Sequence, residues 1–207
     1  MRIILTSQEK EAISRAILEA EKKTNGEIVP IVVRASDSYL GAHWQSGILA
    51  ALLSAFSAYL LFPHWNPIGY LILQIPALFV GFLIGSIPAV KRILSGKKFM
   101  QLEVHQKALE LFYRHRLHLA VDGTGVLIFV SLLEHRVEIL GDRGISSKIG
   151  QNEWEAAVND LISETKKRNL AKGLIRAIED CGVLLARHFP AKHENPDELR
   201  NDVIVEE

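Results

Sequence analysis

The chain has 207 residues, with 24 basic and 24 acidic side chains and a single cysteine. This length fits one domain, with or without an attachment, and the balanced charge removes any broad electrostatic attraction to nucleic acid. One cysteine excludes an intramolecular disulfide framework and a Cys-rich zinc site.

The opening MRIILTSQEKEAI has too short an apolar run for a secretory signal. TSQEKEAISRAILEAEKKT predicts a helix capped by Thr6 or Ser7, with Ile13, Ala16, Ile17 and Ala20 on one apolar face. Asn25-Gly26 is expected to end it, Gly26 serving as a left-handed cap. GEIVPIVVRAS is dense in β-branched residues and predicts a strand, and Pro30 points to an edge position or a bulge.

Ser38 to Val90 holds no Lys, Arg, Asp or Glu. Within it lie GILAALLSAFSAYLLF and IGYLILQIPALFVGFLIGSIPAV, separated by PHWNP. A spanning helix needs roughly 20 apolar residues. The expected spans are 44–62 and 68–90, with Trp44, Trp65 and Tyr70 near their ends. Arg34 precedes the first span and Lys91, Arg92, Lys97 and Lys98 follow the second, whereas the connecting loop has no Lys or Arg. The positive-inside rule then puts both termini in the cytoplasm. Small residues recur every fourth position, at Gly47, Ala51 and Ala55 and at Ala77, Gly81, Gly85 and Ala89. Such rows let the spans pack on each other, and also offer a homo-oligomer interface. Pro76 and Pro88 should kink or end the second helix. The only ionisable side chains near the spans are histidines, which argues against a transporter or channel.

After the hairpin, KKFMQLEVHQKALELFYRHRL predicts a helix with Leu102, Leu109, Phe112 and His105 or Val104 on its apolar side. Val126–Ser131 and Arg136–Leu140 read as an antiparallel pair, followed by two further helices. The last residues, PAKHENPDELRNDVIVEE, read as a loosely held charged tail. Residues 1–40 and 91–189 are thus expected to form one α/β domain, split by the hairpin, with 190–207 as its tail. Neither half alone has enough strands for a stable sheet.

LTSQEKEAISRAILEAEKKTNGEIVPIVVRASDSY and TGVLIFVSLLEHRVEILGDRGI resemble the TPM domain. The likeness is closest to the bacterial membrane-bound branch, in which a hydrophobic hairpin interrupts the domain. The resemblance implies a small α/β/α sandwich in the bacterial cytoplasmic membrane, with the domain on the cytoplasmic side. It also implies either a role with protein partners in assembling or maintaining membrane complexes, or weak acid phosphatase activity, or calcium binding.

Gly141-Asp142-Arg143-Gly144 ends a strand, where ligands favour open α/β sheets, and Asp37 follows the first strand in the same way. If those strands run parallel, Asp37 and Asp142 share one pocket, with Asp122 at the other end. The two acids and a backbone carbonyl would suit a hard cation such as Ca²⁺. Asp142 is equally suited to cap the turn that follows. Arg136 and Glu138 share a strand face as a paired or solvated set. Cys181 and Arg187 have the Cys-x5-Arg spacing of cysteine phosphatases, but CGVLLAR lies inside an apolar helix rather than a glycine-rich phosphate loop. His105, His115 and His118 lie on one helix without an evident further ligand. The sequence has no Asp-x-Asp nucleophile motif, Walker loop or Gly-x-Ser-x-Gly elbow.

Overall fold

The computed structural model describes residues 5–166, 169–191 and 201–206. They form two units, Met1–Ser36 with Glu103–Glu207, and Asp37–Leu102.

The first unit is a three-layer α/β/α domain. Helix α1 (Ser7–Glu21) begins with a complete capping box: the Thr6 side chain accepts from the Glu9 amide, and the Glu9 carboxylate accepts from the Thr6 amide. That backbone bond holds the Glu9 carboxyl below the usual range. A lowered folded pKa means the box stabilises above the unfolded Glu pKa and is lost as pH falls through the folded value. The helix closes at Lys22 in right-handed geometry. Gly26 is therefore not its left-handed cap. It lies just before strand β1 (Glu27–Val33), and a Cβ there would meet Leu185 at 2.9 Å.

β1 pairs in parallel with β2 (Gly125–Ser131), and β2 pairs antiparallel with β3 (Arg136–Gly141). The sheet order is β3-β2-β1-β4. β4 (Ile204–Glu206) comes from the segment read as a loose tail; it lies parallel to β1, with Val203 buried beside it. Residues 192–200 of that segment lie outside the described residues. The edge position expected from Pro30 is thus corrected, because β1 lies inside the sheet. β4 covers only Ile31–Val33, so Pro30 pairs with Ile128 alone and its missing N–H breaks no ladder on the β4 side.

Both faces of β1 and β2 are buried, which explains their unbroken apolar runs. Ile28, Val32, Val126, Ile128 and Val130 join one core with α1, α7 (Glu155–Lys166) and α8 (Leu170–His188). Val29, Ile31, Val33, Leu127 and Phe129 join the other. The part of α5 (Lys97–Arg114) in this unit covers that second face through Val104, Ala108, Leu111 and Phe112. The expected apolar side of this helix was partly misplaced: Leu102 and Leu109 are exposed, because burial follows a row from Val104 through Ala108 to Leu111 and Phe112.

The second unit holds α2 (Leu40–Leu61), α3 (Pro67–Ile84) and α4 (Pro88–Ser95). α2 and α3 are long and apolar enough to cross a membrane. Leu52, Phe56, Leu60, Ile72, Phe79 and Leu83 are all at least 60 % exposed. α2 starts before the expected span. α3 stops short of Val90, because Ile87 takes the extended backbone that a following proline favours and Pro88 opens a new helix. Pro76 is accommodated inside α3.

Gly47 of the first row and Gly81 of the second face each other, a Cβ at Gly81 standing 2.8 Å from Gly47 Cα. A Cβ at Gly81 would stand 2.5 Å from the Ser46 carbonyl oxygen and 2.6 Å from Ala50 Cβ. The Ser46 hydroxyl donates to the Gly81 carbonyl at 2.8 Å. Gly81→Ala should therefore lower the thermal midpoint of the full chain in detergent micelles. Gly41→Ala, whose Cβ meets nothing within 4 Å, should leave it unchanged or raise stability by about 0.5 kcal/mol.

Candidate functional site

β1 and β3 both pair with β2, one parallel and one antiparallel, so β1 and β3 run in opposite directions. This decides where the candidate acids lie. The Asp142 amide donates to the Gly125 carbonyl at 2.9 Å, at the start of β2. Ser36, the residue before Asp37, donates its amide to Glu134 Oε1 at 2.9 Å, at the turn that follows β2. About 20 Å of strand separates those two ends. The expected convergence of Asp37 and Asp142 is overturned, and so is the placing of Asp122 opposite Asp142. Asp122 lies in the turn before β2, at Asp142's end.

At that end, the loop before β2 and the turn after β3 interlock backbone to backbone. A Cβ at Gly144 would stand 2.6 Å from the Gly123 carbonyl oxygen, and Gly123 itself has φ +64°. Only glycine suits these two positions, one for close approach and one for its left-handed backbone. Asp142 caps α6 (Arg143–Ser146), its Oδ1 accepting from the Arg143 amide at 2.7 Å. The Ser146 hydroxyl donates to the Gly141 carbonyl at 2.8 Å, tightening the same turn. Gly-Asp-Arg-Gly is thus a capped, interlocked turn.

The expected Ca²⁺ pair does not fit this geometry. Its two carboxylates lie at opposite ends, and each makes a local backbone bond: Asp37 Oδ2 accepts from the Tyr39 amide at 2.9 Å. Among the described residues, no three His, Cys, Asp or Glu side chains gather as a metal-binding group.

The end where the parallel strands finish holds residues that the sequence reading passed over. Glu134 is buried, with one oxygen accepting from the Ser36 amide and the other from the Ser131 hydroxyl. Glu206, the last residue of β4, pairs with Arg114, and its Oε1 accepts from His115 Nε2 at 3.2 Å. His105 instead pairs with Glu138, and His118 lies against the Tyr113 ring. The three histidines therefore have three separate neighbourhoods. Glu138 is a paired residue of the α5-facing side of β3, as alternation suggested. No local motif announces Glu134 or Glu206; only the sheet order brings their partners to them.

Cys181 is fully buried in α8, and burial pushes its thiol well above the ordinary range, with Asp180 adding to the rise. A neutral thiol in an apolar core is a small hydrophobe, not a nucleophile. Beside it, α1 and α8 approach closely because Gly182 faces Ala20, where a Cβ would stand 2.7 Å from Ala20 Cβ. Above this contact lies an open groove of about 610 Å³, floored by Ala12, Ala16 and Ala20 and rimmed by Arg15 and Glu179. Val183 lines it and is 53 % exposed.

Residues 93–183 match the family model of the TPM domain. Comparison with curated proteins found no match. Among solved structures, the chain resembles the BA42 protein from the psychrophilic bacterium Bizionia argentinensis, determined by NMR, with a TM-score of 0.63 and 22 % identity. That likeness covers 100 % of this chain and 98 % of that one, and it shows a shared fold.

Two outcomes follow. Asp142→Asn should keep the cap and leave stability within about 0.5 kcal/mol, whereas Asp142→Ala should cost about 1 kcal/mol in chemical denaturation. The Cys181 thiol should stay silent to a disulfide reagent in the native protein and react only as the chain unfolds, at the rate of unfolding.

Proposed function

We propose that the chain is a membrane-anchored TPM-domain protein that works by holding a protein partner at the bacterial cytoplasmic membrane. The observation that carries this reading is the α2–α3 pair. Its inward faces are zipped by small residues and its outward faces are apolar and exposed, an arrangement suited to a lipid environment. The pair is inserted in the connection from β1 to β2, so the α/β domain is tied to the bilayer at two points of its chain. The basic residues after α3 and the lack of Lys or Arg between the helices favour cytoplasmic termini. The α1–α8 groove, with small residues on its floor and charges on its rim, suits a protein segment better than a compact substrate.

The reading of a weak metal-dependent phosphatase acting through Asp37 and Asp142 needs both acids at one centre, and the antiparallel relation of β1 and β3 favours the anchoring reading over it. The proposal rests on anchoring and a surface, not on a reaction.

Two measurements test it in cells. Alkaline phosphatase fused after Glu207 should be inactive and a fluorescent protein fused there bright; the reverse would overturn the topology. A photocrosslinking residue at Val183 should trap a discrete protein in intact membranes, lost when Ala16→Trp fills the groove. A Val183 adduct pattern identical to that from an exposed site elsewhere, such as Leu119, would overturn the partner role.

A further inference from the structure

α3 does not run on into the α/β domain. It ends at Ile84, and after an extended residue at Ile87 the chain restarts as α4, with Pro88 in the first turn. α4 is the helix of the second unit that buries nothing. At 100° per residue, Ala89, Val90, Ile93 and Leu94 share one side and Lys91 and Arg92 the other. Ile93 is 78 % exposed, and Phe99 and Ile87 just beyond the helix are each 48 % exposed. Apolar side chains of this size, presented in water, would be a liability without a covering medium.

The charge of this unit is mostly of one sign, Asp37 at its start being its acidic residue. From Ser38 to Leu102 there is no acidic residue, while Lys91, Arg92, Lys97 and Lys98 fall within one short stretch. Lys97 and Lys98 are exposed. α4 is also fixed in place: Lys91 Nζ donates to the Ser38 carbonyl at 2.7 Å, beside the start of α2. It therefore sits at the open end of the hairpin, where α2 begins and α3 ends.

An amphipathic helix with a basic face, chained to the end of an apolar helix, has the features of an interfacial element. Its apolar side enters the acyl boundary and its cations reach the headgroups, where anionic lipid attracts juxtamembrane Lys and Arg. We infer that α4 with the following Lys97–Phe99 forms a binding surface for anionic phospholipid headgroups, lying in the plane of the bilayer surface. This rests on the proposal that α2 and α3 span the membrane. A negatively charged protein would satisfy the cations but would leave the exposed Ile93 and Phe99 without an apolar medium, so the lipid surface is the occupant that fits both.

The test uses the full chain reconstituted in vesicles of phosphatidylcholine alone, or mixed with phosphatidylglycerol. An environment-sensitive fluorophore is attached through Ile93→Cys, and quenching by bromine-labelled phospholipid is measured. Ile72→Cys in α3 reports insertion and Leu119→Cys reports a domain surface; buried Cys181 does not take the label. Quenching at position 93 should exceed that at position 119 several-fold in mixed vesicles. The excess should shrink in phosphatidylcholine alone, in high salt, and with Lys97→Gln and Lys98→Gln together. Strong quenching at position 72 with none at position 93 would overturn the surface alone. Equal quenching at position 93 in both lipid mixtures would overturn its preference for anionic headgroups. Absence of quenching at position 72 would overturn the spanning reading, and this inference with it.

Discussion

Parallel pairing of β1 with β2, seven residues against seven, is the constraint on which the rest of the molecule depends. The two strands are separated in sequence by the whole hairpin, yet each is buried on both faces and cannot remain unpaired without orphaning its backbone groups in an apolar core. The entropy of closing so long a connection grows only slowly with its length, so an insertion of two apolar helices is tolerable once the strand pair is worth forming. The inserted helices then satisfy their own backbone bonds internally and need nothing from the sheet.

The same pairing decides the chemistry. With β1 parallel and β3 antiparallel to β2, residues after β1 and residues after β3 must lie at opposite ends. Asp37 and Asp142 look equivalent in sequence, each just past a strand, and are separated for that reason alone. Asp142 becomes a helix cap within an interlock of two glycine turns, where Gly123 and Gly144 let backbones meet. The opposite end acquires the buried Glu134 and the Glu206–Arg114 pair, which fastens the last strand to α5. A buried carboxylate that accepts two bonds and an ion pair that holds an edge strand serve the architecture first.

The hairpin shows how small residues serve two purposes at different places. In α2 and α3 they allow close approach of helices, which leaves the large apolar side chains facing outward. In α1 and α8 the same device, Ala20 against Gly182, narrows the helix spacing and leaves an alanine-floored groove above it. The first arrangement leaves an apolar exterior and the second a groove with charges on its rim, present at Arg15 and Glu179 and absent along α2 and α3.

Much of this was legible in the residues themselves. Patterns set by neighbours a few positions apart were readable: the helix start capped at Thr6 or Ser7, the β-branched strands, the antiparallel β2–β3 pair, the charge-free stretch and the basic cluster after it. Local sterics and hydropathy act over one or two turns and leave their mark in sequence. That the two flanking segments form one α/β domain followed from counting strands that could not be stable apart, whereas the α/β/α layering was implied by the family resemblance. What only the tertiary structure decided were relations between distant segments. Ile204–Glu206 is too short and too charged in its surroundings to read as a strand, and becomes one because β1 offers an open edge. Pro30 suggested an edge and proved compatible with an inner strand, because that fourth strand stops one residue short of it. The direction of β3 relative to β1, invisible in either strand alone, separated the two acids that sequence had placed together.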